Sequence, residues 1–277
     1  MNKATAVTAD ARRELEEDLA LLVDKVRRVG ALAQHVKAQG LIIDYKSDGS
    51  VVTNADLEVN LWLKEALMQV RPHYGWQSEE SPDTDARLSK ARVFVLDPID
   101  GTMGFTKGSP YWTIALAIVE NGQPVAGVVY APDAQELYAA GLGLGATLNG
   151  APIHATTTAA LDGAHVIGDA RVFGKAIWRG DWPRLLVTSR PSVAYRMVCV
   201  AAGRADFTLA LTPKRDWDVA ASTLIAREAG AKTSDHLGNP YHFNGKSSLK
   251  PSLVCACEPL YAEIIRRCGH LATLDHI

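Results

Sequence analysis

The segment Val93-Phe94-Val95-Leu96-Asp97-Pro98-Ile99-Asp100-Gly101-Thr102 decides how the rest of the chain is read. Its four leading residues are apolar and mostly β-branched or aromatic, the pattern of a short buried strand. That strand runs directly into two carboxylates three residues apart. Pro98 fixes one backbone angle between them, so the chain is expected to turn as it leaves the strand, with both carboxylates facing one point beyond its end. Open α/β sheets hold their ligands at that carboxyl end. Gly101 permits close backbone approach, and Thr102 adds a hydroxyl. Two carboxylates this close repel unless a proton or a cation lies between them. An all-oxygen donor set suits a hard divalent ion, Mg²⁺ foremost. The competing reading is an ordinary Asp-Pro turn closed by Asp-Gly.

Upstream, residues 10–39 show helical periodicity, with Leu15, Leu19, Leu22, Val23, Val26 and Ala33 on one stripe and Gly40 as a stop. Asp48-Gly49 marks a turn, Val51-Val52 a short extended piece, and Thr53 or Asn54 caps a helix that Pro72 ends after Val70. Asp56 then falls in the first helical turn, where the dipole favours an acid. Glu79-Glu80, ahead of Pro82 and Asp83, reads by composition as a solvated acidic loop.

Downstream, residues 111–119 and 124–130 read as a hairpin through Asn121-Gly122. A third strand is expected near residues 136–140, ahead of a glycine-rich turn. Gly141 to Gly145 lacks the third glycine and following helix of a dinucleotide loop. Small polar residues near 151–163 join two expected units, 1–155 and 156–277. The second alternates strands (164–168, 185–188, 206–211) with helices (192–202, 219–229) and closes with a strand near 252–256 and a helix to Cys268. Asp218 reads as the N-cap of the second of those helices.

Composition narrows the function classes. Net charge is −2, so no basic field points to a nucleic acid polymer or an anionic membrane. No apolar run reaches the length of a membrane span, and residues 1–13 lack the apolar core of a secretory signal. Cys199, Cys255, Cys257 and Cys268 fit neither a zinc site nor a redox pair, which makes the cytoplasm the expected location. No histidine pair has ligand spacing, and neither a G-x-S-x-G elbow nor a P-loop is present.

D-P-I-D-G-T at 97–102 resembles the signature of the inositol monophosphatase superfamily, Mg²⁺-dependent and often lithium-sensitive phosphomonoesterases. The resemblance continues at V-T-N-A-D (52–56), S-E-E-S (78–81) and W-D-V-A-A (217–221) leading to E-A-G (228–230), in family order. It implies an α/β (α+β) chain layered αβαβα, with two or three Mg²⁺ ions held by Glu79, Asp97, Asp100, Asp218 and the Ile99 carbonyl. Glu79 and Thr102 would orient the attacking water, with Asp56 behind the threonine. Gly101, Thr102 and Ser192 would contact a small phosphorylated metabolite. Family members are commonly homodimers, and some bacterial relatives act with transcription machinery, which keeps a regulatory binding role as a further alternative.

The segment before Trp217 bears on the substrate. Members of the inositol type carry a glutamate there, whereas residues 207–215 hold no acid and end in Lys214 and Arg215. A basic pair suits a second phosphate, although both could be solvated surface cations. Pro191 stands where the inositol type has glycine. Met103-Gly104-Phe105 lacks the basic-acidic-Phe run common in nucleotidases. The balance leans to a 3′(2′),5′-bisphosphate nucleotidase, with inositol-1-monophosphatase as the alternative.

Overall fold

The computed structural model describes residues 9–271. From the N-terminus, α1 (Ala9–Gln39) leads to a hairpin of β1 (Ile43–Tyr45) and β2 (Val51–Thr53), then α2 (Asn54–Val70) and β3 (Gly75–Ser78). β4 (Arg92–Asp100) carries the metal motif and hands over to a short helix, α3 (Thr102–Thr106). A meander follows: β5 (Thr113–Glu120), β6 (Gln123–Ala131), β7 (Glu136–Gly141), β8 (Gly145–Leu148) and β9 (Ala151–Pro152). Next come β10 (His165–Ile167), β11 (Leu186–Thr188), α4 (Val193–Ala201), β12 (Phe207–Ala210), β13 (Lys214–Arg215) and α5 (Asp216–Glu228). The chain ends with β14 (Ala231–Ser234), β15 (Leu249–Lys250), β16 (Leu253–Cys257) and α6 (Glu258–Cys268).

β3 to β9 form one sheet in sequence order, antiparallel except for the β3–β4 pair. A second sheet runs β11-β10-β12-β16-β14. α1 and α2 cover one face of the first sheet, α4 and α5 fill the space between the sheets, and α6 lies on the far face of the second. The layers are therefore αβαβα, as the resemblance implies. Among the described residues no helix is long and apolar enough to cross a membrane.

The alternation of side chains explains why the central strands read as unbroken apolar runs. On β4, Phe94 and Leu96 enter the core under α1 and α2, while Val93 and Val95 enter the core shared with α4 and α5. On β5, Ile114, Leu116 and Ile118 face one way and Ala115, Ala117 and Val119 the other. A strand buried on both faces has no polar side to show. Small residues on the inner face let α5 come close: a Cβ at Gly127 of β6 would stand 3.0 Å from the Ala221 carbonyl oxygen.

Three expectations change. The chain does not leave the sheet at Pro98; β4 continues through Asp100, pairing Asp97 with Ala115 and Asp100 with Thr113. That register leaves one extra residue on β4, and proline is tolerated in such a bulge because the ladder is interrupted there. The bulge also matters for the carboxylates. Residues three apart face opposite sides of a regular strand, and the extra residue resets that alternation so that both address one cavity. The turn itself comes at Gly101, whose φ of 88° favours glycine. Asp218 is not the N-cap of α5, which starts at Asp216; it sits in the first turn, and its carboxylate accepts from the Arg215 amide at 2.8 Å. The α1 stripe holds for Leu22, Val26 and Ala33, but the same face also buries Asp18. That carboxylate accepts from Arg71 Nε at 2.9 Å, Tyr74 Oη at 2.7 Å and Arg92 Nη1 at 3.1 Å.

Candidate metal centre

Four separate elements deliver the acidic side chains. β3 and β4 run parallel, so both end at the same edge of the sheet, and Glu79 follows the last residue of β3. Its amide donates to the Leu96 carbonyl at 3.2 Å, which fixes it beside Asp97. Asp218 arrives from the first turn of α5 in the neighbouring layer. One oxygen each from Glu79, Asp97 and Asp218 lies within 4.8 Å of the others. The three line a cavity of about 350 Å³ together with Asp100, Ile99, Gly101 and Thr102.

Asp56 stands behind them at the start of α2. Its Oδ2 accepts from the Thr53 amide at 2.8 Å and the Thr53 hydroxyl at 2.6 Å. Thr102 Oγ1 lies 2.8 Å from the Ile99 carbonyl oxygen and 3.3 Å from Asp56 Oδ1. The threonine hydroxyl therefore lies between the β4 motif and α2.

Asp100 and Ser192 meet at the N-terminus of α4. Both Asp100 oxygens face the N-terminus of α4, accepting from Ser192 Oγ at 2.6 Å, Val193 N at 3.2 Å and Ala194 N at 2.6 Å. Asp100 lines the cavity without joining the three-carboxylate group. Ser192 is fully buried, accepts from the Tyr195 amide as the N-cap of α4, and lies 2.9 Å from Thr113 Oγ1. Its hydroxyl therefore holds α4 to Asp100 instead of opening toward a ligand. The close seating of this loop on the motif needs a glycine: a Cβ at Gly101 would come within 2.9 Å of the Ser192 nitrogen.

The basic pair separates. Lys214 is half-buried and its Nζ donates to Thr212 Oγ1 at 2.8 Å, whereas Arg215 is exposed and reaches Ser248 Oγ at 3.2 Å. Alternation along β13 sends the two side chains to opposite sides.

Burial and mutual repulsion dominate the electrostatics of the acidic cluster. Burial, with Asp100 and Glu79 nearby, pushes the Asp218 carboxyl up to about 7. Burial raises Asp56 to about 6, with Glu80 and Glu79 adding to it against the Thr53 hydrogen bonds. Asp97 is driven well above the usual carboxylate range by burial and by Glu79, Asp100 and Asp218. Asp100 is raised by burial even though Ser192 and the α4 amides pull the other way. Each shift records a charged form disfavoured by burial, and for Asp56, Asp97 and Asp218 by neighbouring carboxylates as well, beyond what its hydrogen bonds offset. Hard, all-oxygen donors at this spacing fit a divalent cation such as Mg²⁺.

One participant escaped the sequence reading. Lys46, at the turn end of the β1–β2 hairpin, places Nζ 2.7 Å from Glu79 Oε1 and 2.5 Å from Glu80 Oε1. Burial pulls the Lys46 ammonium down, but contact with the two glutamates outweighs it and holds its pKa above the usual lysine value. A single lysine before an Asp-Gly turn carries no signal of its own; only the hairpin's fold-over brings it to the acids.

The sequence profile described as the inositol monophosphatase family matches residues 14–269. The chain belongs to the inositol monophosphatase family. The inositol-1-monophosphatase of Rhizobium meliloti is 32% identical over 249 residues, covering 83% of this chain and 88% of its own. A Thermotoga maritima protein named fructose-1,6-bisphosphatase/inositol-1-monophosphatase is 33% identical over 194 residues, 68% of this chain and 72% of its own. The solved structure of a Thermotoga maritima IMPase superposes with a TM-score of 0.79 at 28% identity, over 92% of this chain and 98% of that one. As a member of this family the chain is a phosphatase, and the acidic group described above lies in the four motifs that carry the resemblance.

Proposed function

We propose that this family member is a Mg²⁺-dependent phosphomonoester hydrolase whose centre is Glu79, Asp97 and Asp218, with the Ile99 carbonyl and Asp100 Oδ1, whose one hydrogen bond is the 3.2 Å contact from the Val193 amide, completing the donors. The observation that carries this is the meeting of three carboxylates from three elements beside the Gly101-Thr102 turn. Two or three bound ions would offset the carboxylate charge, polarise the phosphoryl oxygens and lower the pKa of water. The protein's own groups do the rest. Glu79 and Thr102 orient a water for in-line attack on phosphorus, and Asp56 fixes the Thr102 hydroxyl. The new O–P bond forms as the ester P–O bond breaks; the attacking water gives up a proton to solvent, and the leaving alkoxide takes one from solvent and departs as the alcohol. Gly101 and Thr102 line the same cavity, and their amides would suit the phosphate oxygens.

For the substrate, the reading favoured is a bisphosphorylated ester, with a 3′(2′),5′-bisphosphate nucleotide ahead of inositol 1-phosphate. Lys214, not an acid, stands in the segment leading to Asp218, and burial together with the charge of Arg196 lowers its pKa while Asp218 opposes the shift. A relative named for both a sugar bisphosphate and an inositol monophosphate is compatible with a leaving group that carries a second phosphate.

Phosphate release from a panel of esters, with Mg²⁺ and with EDTA, tests the reaction. Asp218→Asn and Asp97→Asn should each lower kcat by at least about a hundredfold, since each removes a charged ligand aimed at the transition state. Turnover that survives either substitution or the chelator would sink the metal assignment.

A further inference from the structure

Glu79 and Asp97 are set against each other by the β3–β4 ladder, but Asp218 comes from another layer, so its place depends on how the first turn of α5 is seated. Asp216, the first residue of α5, makes that seat and is fully buried. Its Oδ1 meets Lys250 Nζ at 2.5 Å, and its Oδ2 accepts from the Asn244 amide at 2.8 Å. Lys250 is only 5% exposed and is delivered by β15, which pairs with β13 immediately ahead of α5. Neither Asp216 nor Lys250 lines the cavity of the three carboxylates.

The same network reaches the segment that carries Glu79. Arg87 is buried and donates Nη1 to Asn244 Oδ1 at 2.6 Å and Nη2 to the Gly245 carbonyl at 3.1 Å. Asp83, four residues after Glu79, holds the same guanidinium through Nε at 2.6 Å and Nη2 at 2.8 Å. On the other side, Gln77 precedes Glu79 by two residues and lies beside Asp216, near enough to favour its charged form, although neither end of its buried amide closes a hydrogen bond. The backbone on both sides of Glu79 thus leads, through Asn244 and Asp216, to the turn that carries Asp218. For stability alone a buried ion pair is a poor choice, because desolvation of both charges offsets their attraction and an apolar pair of similar volume serves as well. What the pair adds is direction, a fixed N–O axis that sets the register of the elements bearing it.

We propose that Asp216 is a positioning residue for the metal centre: held by Lys250 and the Asn244 amide, it sets the separation of Asp218 from Glu79 and so the affinity of the site for a divalent cation. Asp216 does not itself join the cluster, because its charge is already matched by Lys250. A ligand whose place is fixed beforehand loses less freedom when the cation arrives, and removing such a supporting contact lowers metal affinity by about 10–100-fold. This rests on the metal-dependent reading above.

Calorimetric titration with Mg²⁺ and urea denaturation in EDTA, run on the same full-length variants, test the assignment. Asp216→Asn and Lys250→Met should each weaken Mg²⁺ binding by at least about tenfold. Turnover at limiting Mg²⁺ should fall in parallel, and excess Mg²⁺ should return most of it because every ligand remains; Asp218→Asn, which lacks one, should not recover. Each single variant leaves a buried charge unpaired and loses stability. Asp216→Leu/Lys250→Met removes both charges, so it should fold more stably than either single variant and still bind Mg²⁺ about tenfold more weakly than wild type. Asp18→Ala empties a buried ionic site partnered by Arg71, Tyr74 and Arg92, and should lose stability with its Mg²⁺ affinity unchanged. A wild type that binds no Mg²⁺ would overturn the metal centre and this proposal together. A single or double variant at Asp216 and Lys250 that binds Mg²⁺ as tightly as wild type would overturn the positioning role alone. Equal weakening in Asp18→Ala would do the same, since it would trace the effect to lost stability.

Discussion

Without a cation, the protein should lose stability as the pH rises from 5 to 8, and Mg²⁺ should restore it. The sign follows from the carboxyl groups of the cluster. A group whose folded pKa is raised binds its proton more tightly folded than unfolded. Its contribution is therefore fully present below the unfolded value and is lost as the pH climbs through the folded one. Asp218 titrates at about 7 and Asp56 at about 6 when folded, against a usual value of 3.8. Between pH 5 and 8 the unfolded chain has already released these protons, so each group loses about 1.4 kcal/mol per pH unit until its folded pKa is passed. Together they lower stability by about 4 kcal/mol across the window, and the raised Asp97 and Asp100 act in the same direction. The acids with depressed values, such as Asp83, Asp133 and Glu136, titrate below this window and leave the slope alone. Urea denaturation at several pH values in EDTA and in excess Mg²⁺ measures both curves. A cation binds only the charged form, so the Mg²⁺-induced gain should grow with pH. Asp218→Asn should flatten the apo curve. A chelated wild type whose stability is level or rises from pH 5 to 8 would refute the reasoning, because the carboxylates would then be neither buried nor crowded.

Two further perturbations read other parts of the structure. Lys46→Met removes an ammonium 2.7 Å from Glu79, and calorimetric Mg²⁺ affinity should rise by about tenfold, since a cation no longer competes for that carboxylate; weaker binding would show that Lys46 supports the metal. Asp18→Ala leaves Arg71, Tyr74 and Arg92 around an empty buried site and should cost about 3–5 kcal/mol in chemical denaturation while sparing Mg²⁺ affinity; a loss under 1 kcal/mol would mean the network relaxes to water.

The sequence by itself determined what is local. The apolar run into D-P-I-D-G-T, the glycine with positive φ after it, the Asn-Gly hairpin at 121–122 and the acid in the first turn of α2 are each written within a few neighbouring residues. Their chemistry follows from covalent geometry and short-range contacts. The family order of four such segments then implied the layers. Tertiary structure alone decided how groups far apart in the chain share their valences. The bulge at Pro98 turned Asp97 and Asp100 to one cavity, yet α4 claimed both Asp100 oxygens. The same contact buried Ser192, which had the look of a substrate contact. Alternation on a two-residue strand parted Lys214 from Arg215, and Arg196, one turn into α4 with no motif to mark it, took the place beside Lys214. The physical reason is that an ionisable side chain acts through its partners and its solvation. Both are set by which elements the fold brings within a few ångströms, a quantity that no short stretch of sequence contains.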